Sequence, residues 1–155
     1  MTQQQRGVSL LEMLMALVIA AAVITAGIRY FSVSERGARV HQAIVQIKTL
    51  TAASYQWLAQ GNYADFRGSN NTTPINLATL CNASLIRCDR NSLQNPWAGN
   101  IDLSASTTNP SHIRIILTNI PNTDCHMLQR QLDTANLSTE DAECSGNNNR
   151  FVGEF

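Results

Sequence analysis

The residues whose types and spacing most clearly indicate chemistry lie at the start of the chain. A short polar leader ends in Arg6-Gly7, and an apolar run of about 21 residues follows from Val8 to Ile28. Glu12 is the only charged residue in that run. The run is long enough to cross a bilayer, where a carboxylate at the centre costs about 2.5–3.5 kcal/mol and usually has a function. Glu12 is therefore the first candidate functional residue.

Two simpler interpretations account for the apolar run alone. A secretory signal peptide has a shorter apolar region, of about 7–15 residues, and its cleavage site follows that region. Ala20, Ala21 and Ala22 could supply such a site. A plain single-span anchor is the second alternative. Both leave the glycine before the run and the carboxylate within it unexplained.

Gly7, Val8 and Glu12 together resemble the processing site of the type IV pilin family, which includes the pseudopilins of type II secretion. In that family a prepilin peptidase cuts after the Gly, and Glu is the fifth residue of the mature chain. The resemblance implies cleavage between Gly7 and Val8, and methylation of the new amine of Val8. It also implies that Glu12 pairs with the N-terminal amine of an adjacent subunit. Val8, in place of the commoner Phe, is similar to the type IVb branch.

A more limited role for Glu12 is compatible with the same sequence. A carboxylate in the first turn of its own helix interacts favourably with the helix dipole, by about 0.3–1 kcal/mol. Ser9 could cap the helix without any charge, so this role does not require an acid.

Four cysteines, Cys81, Cys88, Cys125 and Cys144, lie beyond the apolar run. An even number of cysteines in a translocated domain indicates two disulfides. Six residues lie between Cys81 and Cys88, and eighteen lie between Cys125 and Cys144. These spacings do not match the close cysteine pairs of structural zinc sites. Three pairings are possible. We favour Cys81–Cys88 and Cys125–Cys144, because each closes a local loop.

The elements that must hold these residues begin with one long helix. After the apolar run, apolar side chains continue at three- and four-residue steps between Val40 and Leu58. This spacing predicts a single helix from about Ser9 to Ala59, apolar all round at first and amphipathic afterwards. Gly61-Asn62 is expected to end it.

The rest of the chain predicts a small α+β head. Asn95-Pro96-Trp97-Ala98 resembles the Asn-Pro-Trp-Gly turn of type IVb pilins, with Ala98 at the place of the Gly. We expect helices at residues 75–86 and 124–132, with Asn122, Thr123 or Asp124 as the cap of the second helix. We expect strands at residues 101–103, 112–120 and 150–155, and a loop at residues 143–149.

The predicted fold class is α+β, with the long N-terminal helix packed on a small antiparallel sheet. We divide the chain into a leader (1–7), the long helix (8–59, of which 8–28 spans the membrane or filament core) and a globular head (60–155).

Composition argues against other functions. Lys and Arg total 11, as do Asp and Glu, so no basic surface for nucleic acid is indicated. His41, His112 and His126 have no partner at metal-ligand spacing, and no phosphate-binding loop or nucleophile motif occurs. We expect no enzyme, no cofactor and no metal.

The resemblance implies a structural subunit of a type IVb-like pilus, used for adhesion, aggregation or conjugative contact. Its partners would be further copies of the same chain, the prepilin peptidase, an inner-membrane assembly platform and, before assembly, the bacterial inner membrane. Afterwards the subunit would belong to an extracellular pilus. A secretion pseudopilin and a minor pilin at a filament tip remain alternatives. The cysteines favour a pilin, because major pseudopilins generally lack a C-terminal disulfide.

Overall fold

The computed structural model describes residues 10–69, 73–89, 93–135, 137, 143–145 and 149–155. Gly7 and Val8, on which the processing prediction rests, lie outside these residues, as does Ser9. Within the described ranges the helices are α1 (Leu10–Gly61), α2 (Leu77–Asn82) and α3 (Asn122–Thr134). The strands are β1 (Ile101–Ala105), β2 (Ile113–Leu117), β3 (Glu143–Ser145) and β4 (Arg150–Glu154).

The chain divides into two units, Met1–Gly37 and Ala38–Phe155, and α1 contributes residues to both. In the first unit, every described residue before Gly37 is exposed. In the second unit, α1 buries one stripe of side chains at helical spacing: Val40, Ala43, Ile44, Ile47, Leu50, Ala53, Ser54 and Trp57. The predicted change from an all-round apolar helix to an amphipathic one is confirmed. Leu58, expected in the stripe, is half-buried.

The end of α1 follows from local backbone chemistry. Asn62 adopts a left-handed conformation with φ of 49°, and the Tyr63 amide donates to the Leu58 carbonyl over 3.1 Å. Such a residue just after a helix commonly satisfies its last carbonyls, and Asn tolerates this conformation better than most residues. The expected stop at Gly61-Asn62 is therefore present.

A four-stranded antiparallel sheet with strand order β1-β2-β4-β3 completes the head. Its strands alternate as expected for a sheet with one covered face. The buried face carries Ile101, Leu103, Ile113, Ile115, Leu117 and Phe151. These residues share one core with the buried stripe of α1 and with Leu128 and Leu132 of α3. The predicted α+β class, a long helix packed on a small antiparallel sheet, is confirmed.

Three local predictions were wrong. Glu143–Ser145 is strand β3, paired with β4, where a loop was expected. Helix α3 begins at Asn122, two residues earlier than expected, its N-cap is Pro121, and no side chain caps it. Helix α2 covers only Leu77–Asn82, where a helix over residues 75–86 was expected.

Candidate assembly site

Glu12 lies in the first turn of α1 and is exposed. Along the helix, the next charged residue is Arg29, seventeen residues later. At 1.5 Å per residue this is about 26 Å away, too far for an ion pair. Between residues 10 and 28, no side chain of the same helix can therefore neutralise the carboxylate. The N-terminal end of the helix offers it only a partial positive charge.

The surface around Glu12 is apolar on all sides. Large apolar side chains in this segment are more than half exposed: Leu10, Leu11, Met13, Leu14, Met15, Leu17, Val18, Ile19, Val23, Ile24 and Ile28. Thr25 is the only other hydrogen-bonding side chain between residues 10 and 28, and its Oγ1 donates to the Ala21 carbonyl over 2.7 Å. The helix thus satisfies its own polar groups except the carboxylate of Glu12, as a lipid or protein interior requires. Among the described residues, α1 is the one helix long and apolar enough to cross a membrane.

Both disulfides of the head are present. Cys81, in α2, is bonded to Cys88 with the Cα atoms 5.7 Å apart. Cys125, in the first turn of α3, is bonded to Cys144 on β3 with the Cα atoms 5.9 Å apart. These are the two pairs favoured from the loop lengths. Because β3 is a three-residue edge strand, the second bond ties the edge of the sheet to α3.

The turn before β1 is built around the amide of Asn95, which is 4% exposed. Its Oδ1 accepts hydrogen bonds from the backbone amides of Trp97 and Gly99, and its Nδ2 donates to the Thr118 carbonyl over 2.6 Å. The amide therefore closes the turn and ties it to the residue after β2. The Asn of the expected turn thus has a structural task that neither Ala nor Asp could fully perform.

Trp97 connects the same turn to α3. Its Nε1 donates to the Asp124 carboxylate over 2.9 Å, and its carbonyl accepts from the Asn119 side chain over 2.8 Å. Asp124 is 4% exposed and bonds the indole instead of capping α3. Sequence reasoning missed this role, because it assigned Asp124 to the helix end by local propensity.

The backbone of the turn explains the departure at Ala98. Ala98 adopts a positive φ of 58°, a conformation that glycine reaches without penalty and other L-residues only at a cost. Gly99 is required for a different reason: a Cβ there would collide with the Thr118 carbonyl oxygen. The turn type resembling Asn-Pro-Trp-Gly is thus present, with strain at its fourth residue.

Metal-ligating side chains are not clustered in the part of the chain that the structure describes. No group of three or more His, Cys, Asp and Glu side chains is placed there to hold a metal ion. His41 and His126 are exposed on their helices, and His112 is half-buried just before β2. The structure does not bring these three residues into a common site.

Comparison with protein-family models identifies the class of the chain. A model described as prokaryotic N-terminal methylation motif, the motif of type IV pilin leaders, matches residues 2–28. A model described as PilS N terminal matches residues 38–150, which is more than half of the chain, and the chain belongs to that family. Comparison with curated proteins and with solved structures gave no match.

Membership assigns the chain a structural role as a pilin or pseudopilin subunit. The methylation motif is the prepilin peptidase cleavage site, so it implies processing and pilus assembly. The leader and the exposed apolar helix fit insertion into the inner membrane, followed by assembly into an extracellular pilus.

Proposed function

We propose that this chain is the structural subunit of a type IVb-like pilus, polymerised for adhesion, aggregation or conjugative contact. Prepilin peptidase cleaves the leader (1–7) between Gly7 and Val8 and methylates the Val8 amine. The observation that carries the proposal is the coincidence of the processing motif with an exposed apolar helix whose one charged residue is Glu12. The two disulfides of the head support a pilin over a pseudopilin.

Assembly exchanges one apolar environment for another. Before assembly, residues 8–28 lie in the lipid of the inner membrane. In the filament the same side chains pack against the helices of neighbouring copies. Because lipid and protein interiors are similarly apolar, this exchange has a small net driving force from burial and depends on packing and polar pairing. The single carboxylate therefore has a large influence on which arrangement of helices is stable.

Glu12 pairs with the Val8 amine of an adjacent subunit in this proposal. Cleavage creates that amine, and methylation preserves its positive charge. A carboxylate removed from water without a partner is strongly unfavourable, whereas an ion pair recovers much of the loss. The described helix has no cation within reach of Glu12, which supports a partner from another chain. Leader cleavage must therefore precede filament assembly, because the uncleaved chain lacks the amine at the required position.

Sheared filaments from cells that carry the chain test the proposal. Intact mass analysis should find a filament composed mainly of this protein, with a methylated amine at Val8 and two disulfides. A Gly7→Leu variant should remain unprocessed in the membrane and form no filaments. Gly37→Ala is the matched control, because a Cβ atom added at that helix position would meet nothing within 4 Å.

Three outcomes would contradict parts of the proposal. Assembled protein that begins at Met1, or after Ala22, would exclude cleavage at Gly7. Surface filaments in which this chain is rare would favour the minor pilin. An absence of surface filaments, together with loss of protein secretion when the gene is deleted, would favour the pseudopilin.

A further inference from the structure

Aromatic and basic side chains, with one valine among them, follow the apolar segment directly. It consists of Arg29, Tyr30, Phe31, Val33 and Arg36, which we call the girdle. Tyr30 is 80% exposed and Phe31 is 72% exposed, although both are large and partly apolar. All five residues belong to the first unit, and none of them is part of the buried core. Their exposure therefore needs an external explanation.

The girdle spans about 220° of the helix circumference, so it is not confined to one face. With about 100° of rotation per residue, Tyr30 and Phe31 point about 100° and 200° away from Arg29. Arg36 lies within about 20° of Arg29, so the two guanidinium groups share one side. A docked protein contacts one face of a helix, whereas a solvent boundary contacts every face. A distribution over more than half of the circumference therefore favours a layered environment over a single partner.

The distance from the start of the span identifies that layer. From Leu10 to Ile28 the helix rises about 27 Å, close to the roughly 30 Å of a bilayer hydrocarbon core. The girdle begins at the next residue and thus coincides with the boundary between hydrocarbon and headgroups. Aromatic rings are enriched at this depth, and arginine side chains extend from it to reach phosphate oxygens.

Charge selects the type of headgroup. Between Arg29 and Gly37 there are two arginines and one acid, Glu35, which leaves a net positive charge of one. Arginine binds phosphate through two parallel hydrogen bonds, and basic residues beside a membrane favour anionic lipid. Arg29 and Arg36 lie on the same side of the helix, two turns apart, so each can bind its own lipid phosphate.

We propose that the girdle binds the headgroups of anionic phospholipids in the leaflet on the side of the head, and that it fixes the depth of the helix before assembly. This inference rests on the membrane stage of the proposed function. Extraction into a filament then requires release of two arginine–phosphate contacts, so the lipid composition of that leaflet influences how readily a subunit leaves the membrane.

The test uses the full chain in vesicles of phosphatidylethanolamine and phosphatidylglycerol. Electron spin resonance measures the association of spin-labelled phosphatidylglycerol and of spin-labelled phosphatidylcholine with the protein. We expect about a fivefold preference for phosphatidylglycerol for each contributing arginine. In the Arg29→Gln/Arg36→Gln variant the preference should fall to about one.

Two further variants separate lipid binding from general charge effects. Arg29→Lys/Arg36→Lys should retain part of the preference, because the charge remains without the bidentate geometry. Arg87→Gln/Arg130→Gln removes two exposed arginines of the second unit and should leave the preference at the wild-type value. A preference that survives in the glutamine variant of the girdle would overturn the inference.

Flotation of the same vesicles distinguishes failure of the girdle from failure of the membrane stage. Protein that floats with the vesicles but associates equally with both lipids overturns the girdle alone. Protein that does not float overturns the membrane stage, and the girdle with it. A Ser34→Cys variant, whose other cysteines are all paired, provides one more outcome. Efficient dimer cross-linking through position 34, without lipid preference, would assign the girdle to a second copy and overturn the lipid assignment.

Discussion

The two units of this chain use the same helix in opposite ways. In the first unit, α1 exposes apolar side chains on every side and buries none. In the second unit, α1 buries one stripe against a sheet and keeps the remaining faces polar or half-exposed. A helix in water is expected to hide its apolar residues, so the first pattern is stable only in lipid or among other helices. One helix therefore contains a segment suited to an apolar environment and a segment suited to packing on a sheet in water.

The comparison also separates two kinds of stability. The second unit contains its own core, two disulfides and a hydrogen-bonded turn, all within residues 38–155. The apolar segment has no such internal contacts among its described residues, and its stability comes from its surroundings. Substitutions in the segment should alter assembly and leave the head folded, while substitutions in the head should do the reverse.

The largest effect is expected at Glu12. A Glu12→Gln variant keeps the size of the side chain and removes its charge, so membrane insertion should be unchanged or improved. It leaves the amine of a neighbouring subunit unpaired, a loss of about 3–5 kcal/mol by analogy with other broken buried pairs. We expect filament numbers in electron micrographs to fall at least tenfold, at a normal subunit level on immunoblots.

Asp102→Asn is the matched control for Glu12. It removes one carboxylate from an exposed position of β1, outside the apolar segment, and should leave filament numbers unchanged. Wild-type filament numbers in the Glu12→Gln strain would show that Glu12 is only a carboxylate at a helix end.

The next effect should appear in the head, at Gly99. Gly99→Ala places a methyl group against the Thr118 carbonyl oxygen, and the backbone of the turn has to move. Overpacking of this kind costs about 1–3 kcal/mol, and Gly99 meets backbone atoms that cannot rotate away. We expect thermal unfolding of the head about 4–12 °C below the wild type. Insertion of the apolar segment into membranes should stay normal, and a loss of insertion would contradict the independence of the two units.

Removal of the disulfides should affect the head unequally. By loop entropy, Cys125–Cys144, which are nineteen positions apart, stabilises by about 3 kcal/mol. Cys81–Cys88, seven positions apart, stabilises by about 2 kcal/mol. Paired Cys→Ser variants in urea unfolding should therefore show the larger shift for the pair that includes Cys144. Equal shifts in the two paired variants would contradict the expected dependence of disulfide stabilisation on loop length.

The helix of the first unit could be predicted from the sequence over its described residues, because its signals are local. An uninterrupted apolar run and one charge within it require no knowledge of distant residues. The buried stripe of α1 could also be predicted, since its period of three to four residues repeats over several turns. The loop lengths favoured the disulfide pairs that the structure contains.

The head was harder to predict where its structure depends on distant partners. Strand β3 has only three residues and no alternating pattern, and it is a strand because β4 pairs with it. Asp124 has the composition of a helix cap, yet its carboxylate accepts a hydrogen bond from Trp97, twenty-seven residues earlier in the chain. Neither contact has a local signature, so both were missed.

The smallest effect is expected at Ala98, and it has the opposite sign. Ala98 holds a φ of 58°, which costs an L-residue about 1–2 kcal/mol, and glycine adopts this conformation without that cost. Glycine also gains freedom in the unfolded chain, which offsets about 0.4–1 kcal/mol of the benefit. Ala98→Gly should therefore stabilise the head by about 0.5–1 kcal/mol, or raise its unfolding temperature by about 2–4 °C. The matched control is Ala135→Gly, at an exposed position with φ of −87°, where only the cost in the unfolded state applies and the temperature should fall. Scanning calorimetry of both variants measures the two signs directly. If both variants lower the temperature, the turn holds Ala98 without strain, and the preference for glycine at this place has another cause.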